Sequence, residues 1–472
     1  MADPADGARE RPIVIVSNRG PVSFELDPTA ADGVAPRRGA GGLVSGLGPL
    51  VRGTDAIWVA AAMTDGDRLV AQRGITDAAD HRVRLIDIDP GTWVDFYDRV
   101  CNEALWFAHH GLFDPVLDPA WPPGWVDGPW DAYRRVNQRF AEVLATDAPA
   151  DAVVLVQDYH LCLVAPLLRA ARPDLRLVHF SHTPFAPAAW LRMLPDAARR
   201  ELLAGMAAHH ACGFHAERWR ADFVDSCRDG EVAPGATFVS PLAPDPDDLR
   251  ATVDRPATRT AAAELDALVG EAAFVVRVDR IELSKNVLRG FLAYEALLEA
   301  DPARHGRVVF GAFVYPSRQG VAAYDRYARA VAEAVHRIND RFGTDEWTPI
   351  HYDPTDDYPR SVAALQRADV VVVNPIRDGL NLVAKEAVLV NERDGQLVLS
   401  PEAGAWAELG DAGAWRADPF DLGATADAIA AALDAPADER ARRAASLRAT
   451  VAERTPADWL ADQVAAGRAA GG

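Results

Sequence analysis

The sequence predicts an α/β fold: two Rossmann-like, doubly wound domains facing each other across a cleft. Three observations lead there. Short runs rich in Val, Ile and Leu alternate with longer amphipathic stretches, the pattern of parallel strands joined by crossover helices. Several of these runs are almost continuously apolar, as strands buried on both faces must be. The chain is 472 residues long, too long for one core, so two domains of roughly 200 residues each are expected.

In chain order, the first half offers strands at Ile13–Ser17, Ile57–Ala61, Val153–Gln157, Leu177–Ser181 and Ala211–His215. The segment Pro241–Asp248, PLAPDPDD, has little to bury and reads as an interdomain hinge. Strands at Phe274–Val278, Val308–Val314, Val370–Asn374, Leu397–Ser400 and Ala414–Ala417 follow. From about Ala437 the chain is Ala-, Arg- and Glu-rich with helical periodicity. The expected division is therefore an N-terminal domain over 1–243 and a C-terminal domain over 244–450. A last helix over 451–472 is expected to pack back on the first domain. Ligands are expected at the carboxyl ends of the strands.

The formal charge of −20 argues against nucleic-acid or anionic-membrane surfaces, which need a basic face. The N-terminus lacks the pattern of a signal peptide, and no apolar run approaches the roughly 20 residues of a membrane span. Cys101, Cys162, Cys212 and Cys227 are scattered, as reduced, buried thiols are. A cytoplasmic protein is expected, with its oligomeric state left open. Of 49 basic residues, all but Lys285 and Lys385 are arginine. Lysine is a slim point charge and arginine a wide planar fork. The two surviving lysines either mark places where a fork does not fit or are chance survivors of a coding bias.

Several chemistries find no support. Neither lysine follows a glycine, so there is no Walker A loop. The stretch Gly39–Gly46 fails GxGxxG because Val44 stands at the third glycine. His179 and His182 lie at an odd offset on a strand, facing opposite sides, and the adjacent pairs His109–His110 and His209–His210 meet the same objection, so no metal site is expected.

Five elements at strand ends carry candidate chemistry. Asn374 to Glu386 reads as a strand end, a tight turn at Gly379 and a helix starting near Leu380, with a positive helix end suited to phosphate. Asp378 there is placed to bond a sugar hydroxyl and Glu386 to bond ribose. An N-capping Asp and a surface Glu–Lys pair would produce the same string. Arg280 and Lys285, five apart on an expected loop, suit a diphosphate clamp or are two surface cations. Ser17-Asn-Arg-Gly20 ends the first strand and precedes the glycine loop Gly39–Gly46; it places Arg19 toward a ligand, or it is a hairpin with an exposed Arg. Asp158-Tyr-His160 and His182-Thr-Pro-Phe185 each follow a strand, and either histidine also suits a hydrogen-bonded core.

Together these strings closely resemble the trehalose-6-phosphate synthase family. The likeness runs from VSNRGPV through NEALW, QDYH, HTPF, GFHAERW, VDRIELSK and FLAYEALLE to RDGLNLVAKE and VLSPEAGA, nearly the whole chain. It implies a metal-independent, α-retaining glycosyltransferase of the GT-B type, with no cofactor because the nucleotide-sugar is a substrate. By matched position it implies acceptor contacts from Arg19, Tyr97, Trp106, Asp158 and Arg318, with Arg19 and Arg318 on the phosphate of glucose 6-phosphate. Gly42, His182, Asp378 and Gly379 would contact the transferred glucose and its phosphates. Arg280 and Lys285 would clamp the diphosphate. Leu382, Val383 and Glu386 would meet the nucleotide and ribose, and Asn381 belongs to the same turn. The implied mechanism is front-face displacement, in which Arg280, Lys285, Asp378 and His182 are the catalytic set.

The chain departs from the family pattern in three places. Ile281-Glu-Leu-Ser-Lys-Asn286 replaces the usual Leu-Asp-Tyr-Ser-Lys-Gly, Leu242-Ala-Pro replaces a Gly-Ile, and Pro354–Arg360 lacks the usual pattern facing the base. Asp353, Asp356 and Asp357 in that region suit the paired donors of guanine, so GDP-glucose is expected over UDP-glucose. Two rival readings stand beside this one. The first is a related synthase making glucosylglycerol phosphate or a pseudo-disaccharide phosphate. The second is a catalytically silent sugar-phosphate sensor, which the retained Arg280, Lys285, Asp378 and Glu386 argue against.

Overall fold

The structure, a computed structural model, describes residues 11–39, 42–318 and 321–469. The chain divides into two compact units. The first takes in the chain up to His109, Phe113–Ser240 and the segment from Pro456; the second takes in His110–Leu112 and Pro241–Thr455. The first unit thus ends at Ser240 rather than 243, and the returning segment begins at Pro456 rather than 451.

The first unit contains strands β1 (Ile13–Ser17), β2 (Val22–Leu26), β3 (Val34–Arg38), β4 (Ile57–Ala61), β5 (Ile75–Ala78) and β6 (His81–Ile86). It continues with β7 (Val153–Gln157), β8 (Arg176–Ser181), β9 (Ala211–Phe214) and β10 (Ala236–Val239). Eight of them form one sheet in the order β10-β9-β8-β7-β1-β4-β6-β5, parallel throughout except for the antiparallel edge strand β5. β2 and β3 form a separate antiparallel hairpin. Every residue of β4 and β7 is buried, which is why their sequences are unbroken apolar runs rather than alternating ones.

The second unit contains β11 (Ala273–Ile281), β12 (Val308–Pro316), β13 (Ile350–Asp353), β14 (Val370–Val373), β15 (Gln396–Leu399) and β16 (Trp415–Arg416). They form a fully parallel sheet in the order β13-β12-β11-β14-β15-β16. All four cysteines are free and buried. Among the described residues no helix is long and apolar enough to cross a membrane.

Two local expectations need correction. Gly42–Val51 is a helix, so the second half of the predicted glycine loop is helical; residues 40 and 41 lie outside the described ones, as does the side-chain environment of residue 42. The PLAPDPDD segment is also less open than a hinge suggests. Leu242 and Ala243 are buried, and Asp245 caps the helix Pro246–Val253 by accepting from the backbone N–H of Asp247 and Asp248.

Candidate active site

Numbered within its own unit, the second sheet runs 3-2-1-4-5-6, so its winding reverses between β11 and β14. Ligands of such sheets bind beyond the strand ends at that reversal. Of the predicted cations, Arg280 lies at the carboxyl end of β11 and Lys285 follows it, and Asp378 follows β14.

Arg280 belongs to β11 itself, opposite Tyr315 of β12, and not to a loop. The ladder with β12 continues over all nine residues of β11, beyond the apolar run that marked the strand in the sequence. Lys285 closes a short 3-10 turn, Leu283–Lys285. Its Nζ lies 2.6 Å from Asp378 Oδ2 and 3.7 Å from Asp279 Oδ1, with only 15% of the side chain exposed. Burial alone would neutralise both partners. The neighbouring charges outweigh it, holding Lys285 above its ordinary pKa and Asp378 below its own, so the pair stays ionised. Asp378 also accepts from Asn381 Nδ2 at 3.1 Å and from the Leu380 N–H at 3.4 Å.

Beneath this pair lies Arg277, fully buried, a residue the sequence reading passed over. It forms an ion pair with Asp279 at 3.0 Å and donates to Asn374 Oδ1 and to the Lys285 carbonyl. It therefore ties the end of β14 to the turn that carries Lys285. Its signal was available: an arginine inside the apolar run Phe274–Val278 has to be paired once that run is buried.

One of the departures has a local cause. Asn286 is left-handed, φ 61° and ψ 35°, a conformation glycine adopts freely and asparagine tolerates best among other residues. Its Nδ2 donates to the carbonyls of Asn374 (3.0 Å) and Pro419 (2.8 Å), so this asparagine adds bonds that a glycine lacks. In the turn after β14 the left-handed residue is Asn381 (φ 74°), whereas Gly379 had been expected to supply the turn. Asn381 caps the helix Leu382–Val390 by accepting from Ala384 N–H. Gly404 is the residue whose smallness matters most, since a Cβ there would overlap the Gly379 carbonyl oxygen.

Leu382 and Val383 are half-buried on the first turn of that helix, which starts two residues later than predicted. Glu386, one turn further, has its carboxyl raised to about 7 by burial and then by the charge of Asp248. Two of the three aspartates assigned to the base have local partners. Asp353 pairs with Arg360 Nε at 2.9 Å, and Asp357 caps the helix Tyr358–Arg367.

In the first unit the sheet also reverses, between β1 and β7. Arg19 follows β1, is exposed, and donates to Tyr97 Oη at 3.2 Å. Tyr97 lies on the π-helical segment Val94–Leu105 and stacks on Trp93 at 5.0 Å. Rings continue from Tyr97 to His160 (6.1 Å), Tyr159 (4.1 Å) and the buried Trp106 (5.9 Å). Asp158 follows β7 with φ 69°, and its Oδ1 accepts from the N–H of His182 and Thr183 at 3.2 and 3.3 Å. Arg19, Tyr97, Trp106, Asp158 and His182 are thus brought together. Arg318 belongs to the second unit, where its Nη1 lies 3.3 Å from Glu282 Oε2 and donates to Tyr324 Oη at 2.9 Å.

Both ring nitrogens of His182 have partners within the first unit. Gln157 Nε2 donates to Gln463 Oε1 at 3.0 Å, so Gln157 Oε1 accepts from His182 Nε2–H at 2.9 Å. His182 Nδ1 then accepts from His215 Nε2–H at 3.2 Å. Both ring nitrogens are used inside the protein, and burial depresses the ring to about 3, keeping it neutral.

Two Rossmann-like parallel-sheet units, with paired cations beyond the winding reversal of the second, define a GT-B glycosyltransferase. The model of Glycosyltransferase family 20 matches residues 11–466, and the chain belongs to that family. It is 32% identical to the trehalose-6-phosphate synthase of Mycobacterium sp. (strain KMS), covering 95% of this chain and 93% of that one. It is also 32% identical to the bifunctional trehalose-6-phosphate synthase/phosphatase of Thermoproteus tenax, of whose length the match spans 62%. Among solved structures it is similar to an α,α-trehalose-phosphate synthase (UDP-forming) from Burkholderia xenovorans in complex with glucose-6-phosphate. That likeness has a TM-score of 0.81 at 27% identity, covering 96% of this chain and 98% of the other.

Proposed function

We propose that this chain transfers glucose from a nucleotide-glucose to O1 of glucose 6-phosphate, making α,α-trehalose 6-phosphate with retention at the donor carbon. The bond from the glucose C1 to the diphosphate oxygen breaks, and a bond from C1 to the acceptor O1 forms on the same face. The acceptor hydroxyl proton passes to the departing diphosphate oxygen, so no protein carboxylate acts as nucleophile. The single observation that carries the reading is the ionised Lys285–Asp378 pair beside Arg280 at the winding reversal of the second sheet. There Asp378 orients Lys285, and the two cations neutralise charge as it develops on the leaving diphosphate. The family and the relatives' names support the same reaction.

The acceptor assignments are Arg19, Tyr97, Trp106, Asp158 and Arg318. Arg19→Ala and Arg318→Ala should weaken glucose 6-phosphate by about 1.5–3 kcal/mol each, the worth of a charge-assisted contact, and leave nucleotide binding unchanged. Calorimetric titration of a nucleoside diphosphate checks this, and a large loss of nucleotide affinity would move these arginines to the donor side.

For the donor we assign UDP-glucose rather than GDP-glucose. What supports it is that Asp353 and Asp357 have local partners, leaving Asp356 alone of the expected carboxylates, and that the similar Burkholderia enzyme is named UDP-forming. Competitive turnover with glucose 6-phosphate and equal UDP-, GDP- and ADP-glucose tests both reaction and base. Faster use of GDP-glucose, with the ratio changed by Asp356→Asn, would restore guanine. Product only with glycerol 3-phosphate in place of glucose 6-phosphate would favour the sister synthase, and no turnover with any pair would favour the sensor.

A further inference from the structure

Glu282 is a carboxylate with none of its side chain exposed, and three groups converge on it. Its Oε1 lies 3.0 Å from Arg280 Nη1 and accepts from Ser317 Oγ at 3.0 Å. Its Oε2 faces Arg318 Nη1 at 3.3 Å. Burial would raise this carboxyl, but Arg280, Arg318 and Lys285 hold it down at about 2, so it stays charged. One buried negative charge thus stands between two arginines that would otherwise repel each other. Arg280 keeps 44% of its side chain exposed, while Arg318 keeps 11%.

We infer that Glu282 is a positioning residue that aims two phosphate-binding arginines at once: Arg280 at the donor diphosphate and Arg318 at the acceptor phosphate. The inference rests on the assignment of those two arginines made above. A planar guanidinium binds phosphate through a fixed fork, so its affinity depends on where the fork is held. A carboxylate that holds one terminal nitrogen of each guanidinium, Nη1 in both, fixes where each fork points. The two substrate subsites then share one anchor, and a change at Glu282 reaches both.

This role is separable from a simple counter-charge. Removing a negative charge beside two arginines raises the local positive potential, which by Coulomb's law alone would tighten both anions. Loss of positioning loosens them. The experiment uses the full chain with Glu282→Gln and Glu282→Asp, titrated calorimetrically with UDP and, separately, with glucose 6-phosphate. Melting curves and circular dichroism report folding. Arg280→Ala with UDP and Arg318→Ala with glucose 6-phosphate run alongside.

The expected result is that Glu282→Gln weakens both ligands by about tenfold or more, the scale of a misaligned charge-assisted contact. Glu282→Asp, which keeps the charge, should recover part of both. Weakening of only one ligand, of neither, or tightening of either would overturn the inference. If the Gln variant does not fold, the Asp variant decides by the same reading: joint weakening supports the shared anchor, and anything else overturns it. Should an arginine variant leave its own ligand's affinity intact, the underlying assignment is what has failed, and the inference falls with it.

Discussion

Lys285 and Arg280 lie five residues apart and face the same chemistry, yet their surroundings make their substitutions unequal. Either change to Ala should lower turnover by roughly two or more orders of magnitude, the scale of losing one charge-stabilising group. Arg280→Ala should cost less stability, because that side chain is 44% exposed and the buried Glu282 keeps Arg318 as a partner. Lys285→Ala should destabilise the fold more, by roughly 3–5 kcal/mol, since it leaves the buried carboxylate of Asp378 without its cation and Asp279 with Arg277 alone. Urea titration of both variants measures the difference, and equal midpoints would contradict the buried pairing. Glu386 gives a pH signature of opposite sense. Its carboxyl titrates near 7 in the fold and near 4.5 unfolded, so the folded state holds the proton more tightly. The resulting cost is absent below about pH 4.5, grows through that window and is complete above about 7. Glu386→Gln should therefore raise stability at pH 8, on the order of 3 kcal/mol, and leave it unchanged at pH 4. A gain of equal size at both pH values would sink this account.

At the scale of elements, the C-terminal helix Pro456–Ala469 packs on β7, β8 and β9 of the first unit. Trp459 is fully buried there, edge-on to Phe180 at 5.0 Å and to His182 at 5.5 Å. Gln463 begins the hydrogen-bond series that sets the His182 tautomer. Trp459→Ala should cost about 3–5 kcal/mol in the first unit, read from its denaturation midpoint. This helix was legible in the sequence as a helix with a place to return to, but the partners of Gln463 were not, because a buried glutamine looks like any polar residue in a helical string. The strands show the same limit. β1, β4 and β7 were legible to the residue, since burial on both faces leaves an unbroken apolar run. β6 (HRVRLI) and β10 (ATFV) were not, because one is interrupted by charges and the other is a half-exposed edge of four residues. β11 was read three residues short at its carboxyl end, and that shortfall put Arg280 on a loop.

For the whole molecule, each unit repeats one device: a parallel sheet whose winding reverses, with its charged residues gathered beyond the reversal. Arg19 and Asp158 occupy that place in the first unit, and Arg280, Lys285 and Asp378 in the second. The sequence order of the strands carried this much. It could not carry Arg277 and Glu282 as parts of a buried charge system, because Arg277 reaches Asn374 and Glu282 reaches Arg318, contacts between distant segments that no local spacing encodes. The net charge of −20 is therefore compatible with anionic substrates, because Arg280 and Lys285 stand at a strand end of the second sheet.

The seclusion of both lysines has a practical consequence. Lys385 is 1% exposed and bonded to Glu408 and to the Leu242 carbonyl, and Lys285 is held between two aspartates. A protein of this size ordinarily offers dozens of reactive ε-amines, whereas this one presents almost none to the solvent. Trinitrobenzenesulfonate should therefore modify little beyond the α-amino group in the native state, and both lysines only after denaturation. Any slow native reaction should fall on Lys285, and UDP should suppress it, so that an amine reagent, ordinarily indiscriminate, here becomes a footprint of a single site.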